Sequence, residues 1–216
     1  MAILSEHERE HMVETLGELE GNVKLTFFTQ DFECESCRHS HELLKELADL
    51  SDKMSLQVYD FKEDKQAVEK YRIDKIPALA VEGEKDYGIR YFGTPAGYEF
   101  TALLEDILDV SRGTVELSQE TMEELQGIDR LIHIQVFVTH TCPYCPRAVR
   151  TAHKLAQASD WIQADMVSAV EFPHLANKYD VFAVPKVIIN EGIEFEGALP
   201  ERHFVEKVLM ALSSRT

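Results

Sequence analysis

Hydrophobic and polar positions alternate between two periods along this chain. Val23–Thr29 is β-branched and aromatic, the make-up of a buried strand. Glu35–Leu50 then sets Leu43, Leu44, Leu47, Ala48 and Leu50 at helical spacing. Met54–Phe61 predicts a second strand, parallel to the first across that helix, and such crossovers are right-handed. A short helix over Asp64–Tyr71 comes next. Pro77–Val81 with Tyr87–Phe92 reads as a hairpin, and a last helix spans about Ala96–Val110. Upstream, Ser5 and Glu8 make a capping box that opens a helix, which Gly21 would end.

The same order then recurs. A helix opens at Ser118, followed by a strand over Leu131–Val138, a helix over Pro143–Ala158, a strand over Trp161–Val167 and a helix over Glu171–Tyr179. A hairpin of Lys186–Ile189 with Ile193–Phe195 and a helix over about Pro200–Leu212 complete it. Ile3-Leu4 and Val115–Leu117 are short apolar pieces that would add an edge strand to each sheet. Trp161, inside a strand, reads as core.

All four cysteines fall in two C-x-x-C units, Cys34-Glu35-Ser36-Cys37 and Cys142-Pro143-Tyr144-Cys145. The units are offset by 108 residues, half the length of the 216-residue chain. At that offset, residues 34–81 and 142–189 share ten identities in 48 positions without a gap. Chance supplies about three at ordinary residue usage. Glu63/Glu171, Tyr71/Tyr179 and Pro77/Pro185 are among them. Beyond the hairpins, Gly93 and Phe100 match Gly197 and Phe204. The chain therefore reads as two copies of one α/β unit, 1–112 and 113–216, joined near Ser111–Thr114.

Charge narrows the partners. Lys plus Arg is 22 against 39 Asp plus Glu, a net charge of −17, which argues against a sequence-independent nucleic-acid binder or a polybasic membrane anchor. No apolar run reaches the roughly 18 residues of a membrane span, and residues 1–10 lack a basic region followed by an apolar one. The expectation is a cytoplasmic protein, where C-x-x-C signals a redox or metal site rather than a structural framework. A zinc site shared by the two pairs is disfavoured by the 104 residues between them. His39 and His41 are two apart on a helix, so they do not share a face and read as surface residues. With no G-x-G-x-x-G or P-loop, no flavin, nicotinamide or ATP site is expected, no cofactor is called for, and electrons come from a partner.

Strand, C-x-x-C opening a helix, strand, helix, apolar-Pro opening a hairpin, helix: this order resembles the thioredoxin fold. The interval from Cys37 to Pro77 and from Cys145 to Pro185 is 40 residues in both halves. The whole chain resembles the two-domain, glutaredoxin-like protein disulfide oxidoreductases of archaea and thermophilic bacteria. Cys142-Pro143-Tyr144-Cys145 and Val184-Pro185-Lys186-Val187 are similar to glutaredoxin segments. The resemblance implies two tandem thioredoxin-like domains, each a central mixed sheet flanked by helices, that catalyse thiol–disulfide exchange on protein substrates. It implies a thioredoxin-reductase-like electron donor. It also implies cis bonds at Ile76-Pro77 and Val184-Pro185, whose backbone would pair with an extended substrate. Two features depart from the relatives. The acidic residue that thioredoxins carry six positions before the first Cys is replaced by Phe28 and Val136, and Gly197 is followed by Ala198 where glutaredoxins have a glycine pair.

The chemistry suits the cysteines. A thiolate must attack a sulfur and a second thiol must resolve the mixed disulfide. Cys34 and Cys142, at predicted helix N-termini, are the expected nucleophiles, stabilised as thiolates by free backbone N–H groups and the helix dipole. Cys37 and Cys145, one turn on, are the expected resolving thiols. Asp31, Glu33 and Glu35 surround Cys34, whereas His140, Arg147 and Arg150 flank Cys142, so Cys142 is expected to be the more acidic thiol. Two other readings are metal or Fe–S binding by the cysteines, and a chaperone-like module using apolar surface near the prolines.

Overall fold

The fold is that of a computed structural model, described for residues 3–213. Its elements are α1 (Glu6–Leu16), β1 (Val23–Thr29), α2 (Cys37–Ala48), β2 (Met54–Asp60), α3 (Lys65–Tyr71), β3 (Ala78–Glu82), β4 (Asp86–Phe92) and α4 (Tyr98–Arg112). The second half repeats them as α5 (Gln119–Leu125), β5 (Ile132–Val138), α6 (Cys145–Ala158), β6 (Ile162–Ser168), α7 (Pro173–Lys178), β7 (Lys186–Ile189), β8 (Ile193–Glu196) and α8 (Glu201–Ser213).

Local signals act as expected at most ends. Ser5 and Glu8 form the capping box, and Ser118 accepts from the Thr121 N–H. The first helix ends earlier than expected, at Gly17. Gly21 instead donates its N–H to the Ser111 carbonyl at 2.9 Å, where an added Cβ would lie 2.7 Å from that oxygen. Neither expected edge strand forms. The N–H groups of Ile3 and Leu4 are taken by the Glu46 carboxylate at 2.7 and 3.1 Å, and Val115–Leu117 has no regular structure. Trp161 precedes β6 and is 47% exposed, so it is not core.

The sheets of the two halves are fused. One eight-stranded sheet runs in the order β2-β1-β3-β4-β6-β5-β7-β8. β4 and β6, each the edge of its own repeat, pair in parallel from Ile89↔Ala164 to Phe92↔Val167. Burial follows from this pairing. β6 is buried along its whole length, whereas β2, its counterpart in the first half and an outer edge of the sheet, buries only Met54. Fusion covers two edges that would otherwise offer unpaired backbone groups.

Helices α4 and α6 pack across the same junction around buried charge. Asp106 receives Arg150 and the Tyr91 hydroxyl, and its Oδ2 lies 2.6 Å from His153 Nδ1. Burial, with Arg150 beside it, pushes His153 down to about 3, so the ring is neutral at physiological pH. Arg150 also reaches Asp109 and Glu105. A guanidinium this enclosed is tolerated only because each side of its fork meets a carboxylate.

Candidate active sites

β1 and β5 each end at a turn that carries a cysteine pair. Cys34 is bonded to Cys37 and Cys142 to Cys145, with Cα separations of 5.4 and 5.5 Å. Helices α2 and α6 begin at Cys37 and Cys145, not two positions earlier as the sequence suggests. Cys34 and Cys142 therefore stand just ahead of a helix N-terminus. Neither Ser36 nor Tyr144, at the cap positions, closes its helix with a side-chain hydrogen bond, so backbone donors there remain for a sulfur anion. Cys37 and Cys145 are buried, Cys142 is 8% exposed, and Cys34 is half-buried.

Opposite each pair lies a cis peptide bond, Ile76-Pro77 and Val184-Pro185. The Cys142 sulfur is 3.7 Å from the Val184 carbonyl. Ile76, Pro77 and Cys34 share a cleft of about 450 Å³. Both prolines are tied down in the same way. Gly93 donates to the Pro77 carbonyl at 2.9 Å, and Gly197 to the Pro185 carbonyl at 2.8 Å. The structure thus brings together the expected residues of each half, although they are some 40 positions apart.

The surroundings of the two pairs differ from the expected charge contrast. Arg150 is committed to Asp106, Asp109 and Glu105 and is withdrawn from Cys142. Of the three expected cations, His140 and Arg147 remain, and His140 Nε2 faces the Glu171 carboxylate at 3.8 Å. Exposed aromatic side chains flank both sites, Phe32 (59%) beside Cys34, and Tyr144 (70%) and Phe182 (90%) at the second.

Glu99 is the residue that sequence reasoning missed. It lies in the first turn of α4, is wholly buried, and neither carboxyl oxygen has a hydrogen-bond partner. Burial pushes its carboxyl up to about 8. Its end of α4 abuts the segment leading to Cys142, where the Tyr98 N–H donates to the His140 carbonyl at 3.3 Å. A signal existed in the sequence. Glu99 shares the helical face of Ala102, Leu103, Asp106 and Ile107, so an acidic residue was written onto a core stripe. Phe28 and Val136, at the positions where thioredoxins have their acid, are buried apolar residues.

Among the described residues, no group of three or more His, Cys, Asp or Glu is arranged to hold a metal ion, and no helix is long and apolar enough to cross a membrane.

Two disulfides at helix N-termini, each facing a cis proline on a thioredoxin-like scaffold, define a thiol–disulfide exchange protein. A thioredoxin-domain family model matches residues 132–210. The crystal structure of a protein disulfide oxidoreductase from Aeropyrum pernix superposes with a TM-score of 0.91 at 32% identity, covering 98% of this chain and 94% of that one. The chain belongs to the protein disulfide oxidoreductase family. The F component of alkyl hydroperoxide reductase from Staphylococcus aureus is 26% identical over 208 residues, which are 95% of this chain and 37% of that protein. A protein named NADH dehydrogenase from Ferdinandcohnia aciditolerans is 28% identical over 80% of this chain and 30% of its own length. The chain spans about a third of the length of these curated relatives.

Proposed function

We propose that the chain relays electron pairs between a flavoenzyme donor and disulfides or dithiols of protein substrates, using both cysteine pairs. The observation that carries this is the twofold juxtaposition of a cysteine pair with a cis X-Pro bond. In the reducing direction, the Cys34 or Cys142 thiolate attacks a substrate sulfur, the substrate S–S bond breaks, and a mixed disulfide forms. Cys37 or Cys145 then displaces the second substrate sulfur. Two electrons have passed to the substrate, and each released thiolate takes up a proton. The extended substrate backbone pairs with Ile76 or Val184 beside Pro77 or Pro185.

The two sites belong to two thioredoxin-like units, 1–112 and 113–216, of which residues 1–2 and 214–216 lie outside the described residues. The left-handed Gly113 that ends α4 marks the boundary between them. The reducing cytoplasm suits dithiols that must be re-reduced after each turnover. The donor is a thioredoxin-reductase-like flavoenzyme, and the greater length of the alkyl hydroperoxide reductase relative accommodates a further reductase part.

Insulin-disulfide reduction tests the reading, first with dithiothreitol and then with NADPH and a thioredoxin reductase. It is run on the parent, on Cys34→Ser/Cys37→Ser and on Cys142→Ser/Cys145→Ser. Activity in the parent that falls in at least one double variant supports it. Equal turnover in the parent and in a variant lacking all four cysteines sinks it.

A further inference from the structure

The cleft at Cys34 is not made by the first repeat alone. Glu33, Cys34, Glu35, Ile76 and Pro77 line one side, and Val170, Glu171 and Pro173 of the second repeat line the other. Glu171 is the repeat partner of Glu63, yet the two are placed differently. Glu63 is exposed, whereas the Glu171 side chain is turned into the junction and is 16% exposed. Its carboxylate accepts the Thr94 N–H at 2.7 Å and lies 3.4 Å from the Thr94 hydroxyl. That hydroxyl is 2.8 Å from Ser40 Oγ, one turn along α2 from Cys37. Glu171 also packs on Gly93, where an added Cβ would sit 2.8 Å from its Oε1. At the second site a Cβ added at the corresponding Gly197 would meet nothing within 4 Å, so no such wall stands against that glycine.

Charge around Cys34 is mostly negative. Glu33 and Glu35 lie on its own turn, and Lys62 from the segment after β2 pairs with Glu33 at 3.7 Å. From the second repeat come Glu171 and, against it, His140. Of these groups Glu171 is held by fixed donors and cannot swing away, so its field in a half-enclosed cleft is screened least.

We infer that Glu171 of the second repeat is a specificity-determining residue of the first site, selecting sulfur partners that carry positive charge beside the disulfide. This rests on the thiol–disulfide reading above. The reduced Cys34–Cys37 pair gives two electrons to the incoming disulfide. Cys34 bonds to one of its sulfurs, and the other departs as a thiolate that is then protonated. Cys37 displaces the first sulfur as a second thiol, and the enzyme disulfide is restored.

The test uses the full chain carrying Cys142→Ser and Cys145→Ser, pre-reduced with dithiothreitol and desalted. Second-order rates of oxidation are measured at low salt with cystamine, a dicationic disulfide, and with 3,3′-dithiodipropionate, a dianionic one. The ratio of the two rates is the readout, because the same thiolate meets both probes and a change in its intrinsic reactivity cancels. The cationic probe is expected to react faster. Glu171→Gln, which keeps an acceptor for Thr94, is expected to lower the ratio about fivefold, and Glu63→Gln to leave it unchanged. In the chain without a substitution at Glu171, added salt is expected to lower the ratio as well. A ratio unmoved by Glu171→Gln, or moved equally by Glu63→Gln, overturns the inference. Exchange with neither probe overturns the functional reading of this site and the inference with it.

Discussion

Replacing Glu99 by glutamine is expected to flatten the pH dependence of stability. The carboxyl starts from 4.5 in the unfolded chain and is held at about 8 in the fold by burial alone. A folded value above the unfolded one means that the native state binds the proton more tightly. Stability from this group is therefore complete below pH 4.5 and is lost as pH rises towards 8. Each pH unit between the two values is worth about 1.4 kcal/mol, so between pH 5 and pH 8 the parent loses about 3 kcal/mol that the glutamine variant does not lose. Urea unfolding followed by far-ultraviolet circular dichroism, at half-unit steps from pH 5 to pH 8.5 with both disulfides oxidised, measures it. Every other titrating group is common to the two proteins and drops out of the difference. The glutamine amide is as short of partners as the carboxyl it replaces, so the offset between the two curves carries little meaning and the slope carries the result. A difference that stays constant across this range would refute a buried, proton-holding Glu99.

Three further expectations follow from the junction and its neighbours. Gly93→Ala is expected to cost more than Gly197→Ala in thermal unfolding, by about 1–3 kcal/mol. Both glycines have positive φ, but only at Gly93 would the new Cβ fall 2.6 Å from Ser168 Cβ, so equal costs would contradict a closed first site. Arg150→Met is expected to destabilise by about 3–5 kcal/mol in urea while leaving the thiolate titration of Cys142 within about 0.3 unit. A large shift in that titration would return Arg150 to the active site. At His133, burial works against the charge, yet the Asp165 carboxylate 2.5 Å away prevails and holds the imidazolium above its usual range. Its contribution is full below about pH 6.5 and is lost as pH rises through the raised folded value, so His133→Gln is expected to cost more at pH 5.5 than at pH 8.5 in thermal unfolding.

Much of the site was legible because it is local or periodic. Each C-x-x-C places two sulfurs one turn apart wherever a helix starts, and the 40-residue interval to an apolar-Pro announces the facing loop. The capping box at Ser5 and the β-branched runs of β1 and β5 name their elements from a few neighbouring residues. The helix starts at Cys37 and Cys145 were displaced by two residues, because the intervening turn has the same polar make-up as a first helical turn.

What stayed hidden depends on contacts between residues far apart in the chain. Arg150 lies within nine residues of Cys142, and sequence distance alone credits it to that sulfur. In three dimensions three carboxylates of α4 claim it. Glu63 and Glu171 occupy matching positions in the repeat and are indistinguishable as letters. One is a surface residue and the other a wall of the opposite repeat's cleft. The sequence by itself determined two copies of one α/β unit and the grouping of the four cysteines into two matched C-x-x-C pairs, since propensity, spacing and repetition act along the chain. Only the tertiary structure decided that β4 and β6 join the copies into one sheet, that Glu99 is buried without a partner, and that the first site is shared by both repeats. Edge pairing and burial depend on which surfaces meet, and no local pattern encodes that.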